Sequence, residues 1–209
     1  MADRPGDYIT SLFSAEDELL ASLREEADRT GLPPIAISAD EGRLLQVLLT
    51  SIGARRVLEV GTLGGYSAIC MARALPNNGK LLSIEIEPKH AEFACKYIER
   101  AGLSDRIDVQ VGRALEVLPS LDGQRFDAMF LDADKEPLPT YFDWALRLVR
   151  PGGLIIGDNA LWGGRVYETS ENDAKTRGVR EFNRRMATDP RVLGIIVPTH
   201  DGVAVAIVR

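Results

Sequence analysis

The sequence has little with which to do thiol or imidazole chemistry. Among its 209 residues are only two cysteines and two histidines. Cys70 and Cys95 lack the CxxC spacing of a zinc or redox site and are too few for a disulfide framework, so both read as small buried thiols in helices. His90 falls early in a helical stretch and His200 in a C-terminal hairpin, away from the strand ends where ligands gather. Both read as surface or packing residues. No GxSxG elbow is present and neither cysteine has a plausible base, so a covalent nucleophile is not indicated. Long apolar runs are missing too: none approaches the roughly 20 residues needed to cross a bilayer. The start, Met1-Ala2-Asp3-Arg4-Pro5-Gly6, has neither the basic nor the apolar part of a signal peptide. A cytoplasmic protein with no membrane partner is expected. Basic charge is scarce as well, 25 Lys and Arg against 31 Asp and Glu for a net charge of -6. Without a basic run a polyanion gains little by docking, which speaks against nucleic acid. No internal repeat, low-complexity tract or linker interrupts the chain.

What is present suits one compact domain with a substantial core, at 45% hydrophobic and 27% charged residues. Residues 1–53 form a helical N-terminal part. Leu12, Phe13, Leu19, Leu20 and Leu23 recur at helical spacing until Gly31-Leu32-Pro33-Pro34 stops the pattern. Ser38-Ala39-Asp40-Glu41 has the form of a capping box and predicts a further helix. From residue 54 to 209, short apolar runs alternate with helical segments. Strands are predicted over 57–60, 81–84, 107–111, 128–131 and 154–157, with helices over about 66–75, 88–101, 114–121 and 141–149. Strands separated by such crossovers pair in parallel, giving a Rossmann-like, doubly wound α/β sheet. The polar stretch Thr169 to Arg177 reads as a loop able to move, before a helix through Met186. Two strands, 192–197 and 203–208, turn around His200-Asp201-Gly202 and end the sheet in an antiparallel hairpin.

In an open parallel sheet, ligands bind beyond the carboxyl ends of the strands. After the first strand comes Gly61-Thr62-Leu63-Gly64-Gly65-Tyr66-Ser67, a glycine-rich turn that lets backbone amides approach a ligand at a helix N-terminus. Leu63 stands where the second glycine of GxGxxG belongs, which counts against a dinucleotide. After the second strand, about 24 residues beyond Gly61, stands Glu85. A carboxylate there can accept hydrogen bonds from both ribose hydroxyls of a nucleoside, or be a solvated strand end. With the glycine turn, the nucleoside reading is favoured. After the fourth strand comes Asp132-Ala133-Asp134-Lys135, and after the fifth Asp158-Asn159. If these strands are neighbours, Asp132, Asp158 and Asn159 converge on one rim. All-oxygen donors suit Mg²⁺, with Ca²⁺ and Mn²⁺ as alternatives, and leave room for two substrate oxygens. The competing reading makes Asp132 a cap and Asp158-Asn159 a turn.

With these residues in place, the sequence resembles the small cation-dependent O-methyltransferases that include the caffeoyl-coenzyme A and catechol enzymes. The similarity runs through Ser38 to Gly42, Leu58 to Ser67, Phe130 to Lys135 and Asp158-Asn159-Ala160-Leu161-Trp162, and covers most of the chain after residue 35. It implies that Glu59, Gly61, Thr62 and Ser67 surround the methionine end of S-adenosylmethionine. Glu85 would hold the ribose, Ala114 would lie beside the adenine, Ile37 would lend backbone, and Asp134 would reach the amino end. Asp132, Asp158 and Asn159 would be metal ligands, with Asp132 also counted among the catalytic and cofactor-binding residues. Lys135 stands at the family's general-base position, and Trp162 at one that lines the substrate site. A homodimer acting on a catechol-like small molecule is implied. Leu138 replaces an aromatic residue of many relatives, Gly163 replaces a polar residue of the plant enzymes, and a loop near Asp122-Gly123-Gln124 is missing. These departures speak against a coenzyme A ester. The competing functions are a nicotinamide oxidoreductase, a non-catalytic S-adenosylmethionine-binding module, and methylation of nitrogen or a macromolecule, which would not need the metal trio.

Overall fold

The computed structural model of the chain describes residues 5–209, with side chains from Tyr8 onward. Residues 1–4, on which the reading of the N-terminus partly rests, lie outside the described residues. The elements begin with helices α1 (Pro5–Phe13), α2 (Glu18–Thr30) and α3 (Ala39–Ser51). There follow β1 (Arg56–Val60), α4 (Tyr66–Ala74), β2 (Lys80–Glu85), α5 (Pro88–Arg100) and β3 (Ile107–Val111). Next come α6 (Ala114–Val117), β4 (Phe126–Leu131), α7 (Leu138–Leu148) and β5 (Val149–Gly157). The chain closes with α8 (Ala174–Thr188), β6 (Val192–Val197) and β7 (Val203–Val208). This is a seven-stranded, mostly parallel sheet with an antiparallel C-terminal hairpin and N-terminal helices. The predicted helix over 114–121 is shorter, ending at Val117 and continuing as a 3₁₀ turn, Leu118–Leu121, where Pro119 withholds a backbone donor.

Contacts divide the chain into two compact units, Met1–Arg55 with Thr62–Gly112, and Arg56–Gly61 with Arg113–Arg209. In the first, β2 and β3 pair in parallel, Glu85 opposite Val111. The predicted capping box opens α3: Glu41 donates its amide to Ser38 Oγ at 3.3 Å, and Ser38 donates its own to Glu41 Oε2 at 2.9 Å. Asp17 caps α2 in the same manner, accepting from the amide of Leu20 at 2.9 Å. Leu23, Leu45, Leu49 and Tyr97 are buried to 2% exposure or less. Each such aliphatic side chain contributes about 1.5–3 kcal/mol by leaving water.

In the second unit the strands lie in the order β1, β4, β5, β7, β6. The central runs Ala128–Leu131 and Leu154–Ile156 are buried along their whole length, because strands covered on both faces need continuous apolar sequence. On α7 and α8, the rings of Phe142 and Phe182 meet edge to face at 6.0 Å. On β6, Leu193 and Ile195 share one face and stay exposed, whereas Gly194 between them lies against the Met186 carbonyl of α8 on the other.

Candidate functional site

In the first unit, Glu85 ends β2 as a buried carboxylate with 5% exposure. Its Oε2 accepts the backbone amides of Thr62 at 3.0 Å and Leu63 at 2.8 Å, so the glycine-rich turn is folded onto this side chain. Oε1 accepts the amide of Glu87 at 2.9 Å, and His90 Nδ1 lies 3.5 Å away. His90 is therefore a neighbour of Glu85, correcting the expectation that it lies away from the strand ends. The Thr62 and Ser83 hydroxyls share a hydrogen bond of 2.5 Å, which braces the turn against β2. Leu63 adopts φ of 47°, a left-handed conformation uncommon for a side chain of this size, and its own amide and the one before it are those held by Glu85. Ser67 lies buried in the first turn of α4.

Ile37, also buried, is reached by a residue that the sequence reading missed. Arg24 donates from Nη2 to the Ile37 carbonyl at 2.5 Å and from Nε to Glu16 at 2.6 Å, and it stacks 4.0 Å above the Tyr66 ring. Tyr66 in turn donates its hydroxyl to Glu16 at 2.6 Å, and burial first, then that carboxylate, raises its proton affinity. This cluster joins the N-terminal helix α2 to the start of α4.

In the second unit, register does what sequence distance cannot. Val60 pairs with Leu131, and Leu131 with Gly157, so the residues that follow, Gly61, Asp132 and Asp158, leave three adjacent parallel strands side by side. The amide of Asp132 donates to the Val60 carbonyl at 2.9 Å, and that of Asp158 to the Leu131 carbonyl at 3.0 Å. Gly61 has φ of 100°, and a Cβ there would stand 2.0 Å from the Asp132 carbonyl oxygen, so only glycine lets the two backbones approach. Glu59 is fully buried on β1 and Ala114 is buried at the start of α6.

Lys135 is 5% exposed, and its Nζ donates to Asp132 Oδ1 at 3.2 Å. Gly178 of α8 lies close behind: a Cβ there would be 2.2 Å from the Lys135 carbonyl, so glycine lets the helix seat against this segment. Asp134 accepts a 2.7 Å hydrogen bond from Tyr141. Burial, then this carboxylate, raises the proton affinity of the Tyr141 hydroxyl, which remains the donor. Asp158 Oδ1 accepts the amide of Asn159 at 2.6 Å, and the Asn159 carbonyl accepts from Trp162 at 3.1 Å. The Asn159 carbonyl and the Trp162 amide close a turn, and the backbone of Asp158 leaves β5 beside that of Asp132. Among the described residues no cluster of three or more His, Cys, Asp or Glu could hold a metal ion. A cation here would rest on two carboxylates and the Asn159 amide.

Beyond this turn the chain lies along the C-terminal hairpin. Asn159 and Trp162 both have positive φ, 58° and 49°. Asp201 accepts the Leu161 amide through its carbonyl at 2.7 Å and the Gly163 amide through Oδ1 at 2.6 Å. Asn183 of α8 donates to the Ala160 carbonyl at 2.6 Å. The buried Trp162 Nε1 has no protein partner among the described residues. The stretch read as a movable loop is in part helical, since α8 begins at Ala174, and Asp173 caps it by accepting the Thr176 amide at 3.1 Å.

The cysteines divide. Cys70 is buried, and burial pushes its thiol up to about 12, whereas Cys95 is exposed, which corrects the reading of both as buried. Cys95 falls on the solvent side of α5, whose apolar positions Ala91, Phe93, Ala94, Tyr97 and Ile98 take the core face.

Residues 10–208 match the O-methyltransferase family. A catechol O-methyltransferase of Niastella koreensis is 42% identical over 97% of this chain and 95% of its own length. Caffeoyl-CoA O-methyltransferase 1 of Eucalyptus globulus is 37% identical over 93% of this chain and 83% of its own. The crystal structure of the O-methyltransferase TomG from Streptomyces achromogenes, in complex with S-adenosylmethionine, superposes with a TM-score of 0.90 at 41% identity, covering 96% of this chain and 94% of TomG. The Rossmann-like fold expected from the alternation of strands and helices is thus the fold of this chain. Family, sequence and structure agree across nearly its whole length, and the chain belongs to the S-adenosylmethionine-dependent O-methyltransferases.

Proposed function

We propose that the enzyme transfers the methyl group of S-adenosylmethionine to a hydroxyl oxygen of a catechol-like small molecule, with a divalent cation, Mg²⁺ foremost. The observation that carries this reading is the rim of β4 and β5, where Asp132 and Asp158 emerge side by side and buried Lys135 leans on Asp132. The donors are all oxygens and fit a hard ion, whose remaining positions would suit two neighbouring hydroxyls. Asp132, Asp158 and Asn159 would hold the ion, which when bound lowers the proton affinity of an acceptor hydroxyl.

Lys135, paired with Asp132 as an ammonium, must first release that proton to act as the base; its free amine then takes the hydroxyl proton on Nζ. The acceptor oxygen then forms its bond to the methyl carbon as the bond from carbon to sulfur breaks in line, and opposite charges cancel. Surroundings that exclude water and fix donor against acceptor supply much of the acceleration in such a step. Ile37, Thr62, Ser67 and Glu85 are assigned to the cofactor, as are Glu59, Gly61, Ala114, Asp132 and Asp134. Trp162 is assigned to the acceptor. The catechol name of the Niastella relative supports a free catechol, as do Gly163 and the missing loop near Asp122.

We further read the chain as a single methyltransferase domain, with residues 1–53 as its helical part and 54–209 as its core, working in the cytoplasm as a homodimer. No helix among the described residues is long and apolar enough to cross a membrane. Tyr8, Ile9, Leu12 and Phe13 of α1 are each at least 44% exposed, apolar surface of the kind an isologous contact would cover.

The test is methyl transfer to a panel of catechols and their coenzyme A esters, with Mg²⁺ or with excess chelator, for the wild type and Asp158→Ala. Turnover that needs metal and vanishes in the variant is expected. Equal turnover in chelator would overturn the metal, and turnover of esters alone would overturn the free catechol.

A further inference from the structure

One side chain of α8 is committed to the backbone of a different segment. Arg180, half-buried, donates from Nε to the Val166 carbonyl at 2.8 Å and from Nη1 to the Glu171 carbonyl at 2.7 Å. Its Nη2 donates to the carbonyls of Arg165 at 2.7 Å and Glu168 at 2.6 Å. Four N–H groups of one guanidinium thus meet four carbonyls within seven residues. Guanidinium geometry permits this because its donors are fixed in a plane and diverge; an ammonium concentrates its three on one atom. Among the described residues no carboxylate pairs with Arg180, so its charge faces the peptide dipoles of this segment.

The same stretch is fastened at its other end. Asp201 takes the Leu161 and Gly163 amides, and Asn183, one turn along α8 from Arg180, takes the Ala160 carbonyl. From Ala160 to Glu171 the chain is therefore held through its backbone, by partners on α8 and on the turn before β7. Ala160 is buried, and the side chains from Leu161 onward are half-buried or exposed. Trp162 is among them, at a φ of 49° that a free loop would abandon for a relaxed value.

We propose that Arg180 is a positioning residue for the acceptor. By fixing 165–171 it completes, before any acceptor arrives, the wall that begins at Trp162, and so determines which acceptors fit. The inference rests on the proposed function in placing the acceptor beside Trp162. A wall ordered in advance spares binding the entropy of ordering it, so loosening it weakens acceptor binding while leaving proton transfer at Lys135 and the cofactor untouched.

The experiment combines hydrogen exchange with steady-state kinetics for the wild type, Arg180→Ala, Arg180→Lys and, as control, Arg184→Ala. Arg184 lies in the same helix and, among the described residues, its side chain pairs with Glu181 alone. In Arg180→Ala, exchange within 163–172 is expected to rise at least about tenfold and acceptor KM about tenfold, with kcat and cofactor Kd within about threefold. Arg180→Lys is expected to recover little, and Arg184→Ala to match the wild type. Unchanged exchange in 163–172 would overturn the inference, as would raised exchange with an unchanged KM. Exchange raised throughout Arg113–Arg209 with cofactor binding lost would also overturn it, by making Arg180 a general support of the fold. If the wild type methylates no catechol, the proposed function fails by itself, and the exchange arm still decides whether Arg180 holds this segment.

Discussion

Lys135 and Asp132 form an ion pair at 3.2 Å in which the lysine is nearly sealed from solvent, with 5% of its surface exposed. A buried ammonium is expensive unless paired, and Asp132 is the pairing group. On the proposed mechanism the contact also keeps Nζ beside the acceptor hydroxyl. Replacing Lys135 by Met should lower kcat about 10²–10⁴-fold, as loss of a general base does, with cofactor Kd unchanged by titration. Lys135→Arg should not restore activity, because a guanidinium does not give up its proton. A variant as active as the wild type would remove Lys135 from the chemistry.

Glu85 is proposed to hold the ribose while its Oε2 already carries the Thr62 and Leu63 amides. Glu85→Gln turns an acceptor pair into one acceptor and one donor, so an amide of the turn, or the ribose, loses its partner. Hydrogen bonds to a charged group are each worth about 1.5–3 kcal/mol, which converts to roughly 10- to 150-fold weaker cofactor binding by calorimetry. Acceptor KM measured at saturating cofactor should hold steady.

Gly61→Ala should be among the more damaging small substitutions. The new methyl group would overlap the Asp132 carbonyl, at 2.0 Å, in a backbone conformation that L-residues avoid. Denaturant unfolding should show a loss of about 2–4 kcal/mol, and whatever protein folds should transfer methyl groups poorly, because β1 and β4 part where Asp132 emerges. Stability equal to the wild type would mean that the strand ends are looser than they look.

Acid should act through Glu26. Hydrogen bonds from Lys96, then Tyr97, hold its carboxyl down from 4.5 to about 2, with help from Arg100. A carboxyl whose folded value lies below its unfolded one adds stability that is fully present above about 4.5 and is lost as pH falls toward about 2. Glu26→Gln should therefore lower the melting temperature at neutral pH, and the difference from the wild type should shrink across that window. A difference that stays constant down to pH 2 would assign the effect to neutral hydrogen bonding.

Much of this was written locally. Apolar runs of strand length, the Ser38 and Glu41 box and the glycines of the turn declare themselves to periodicity and propensity, because each depends on neighbours a few residues away. Strands 107–111, 192–197 and 203–208 were legible to the residue. The residue types on the rim were legible for the same reason, since a strand's end is marked by where its apolar run stops. Their adjacency was not. Asp132 and Asp158 are strangers until β4 and β5 pair in register, and pairing is a choice among strands that no single segment records.

The supports were wholly hidden. Arg24 on the Ile37 carbonyl, Arg180 on four carbonyls and Asp201 on the Leu161 and Gly163 amides all bind backbone, and backbone groups are the same at every position. No residue pattern can mark the partner in such a bond. By itself the sequence determined the elements, their family and the chemical groups brought to each strand end, because these follow from local hydrophobicity and side-chain type. Which groups stand together, and which arginine is spent on holding the chain in place, was decided by the tertiary structure alone, since register and close packing are properties of the folded chain as a whole.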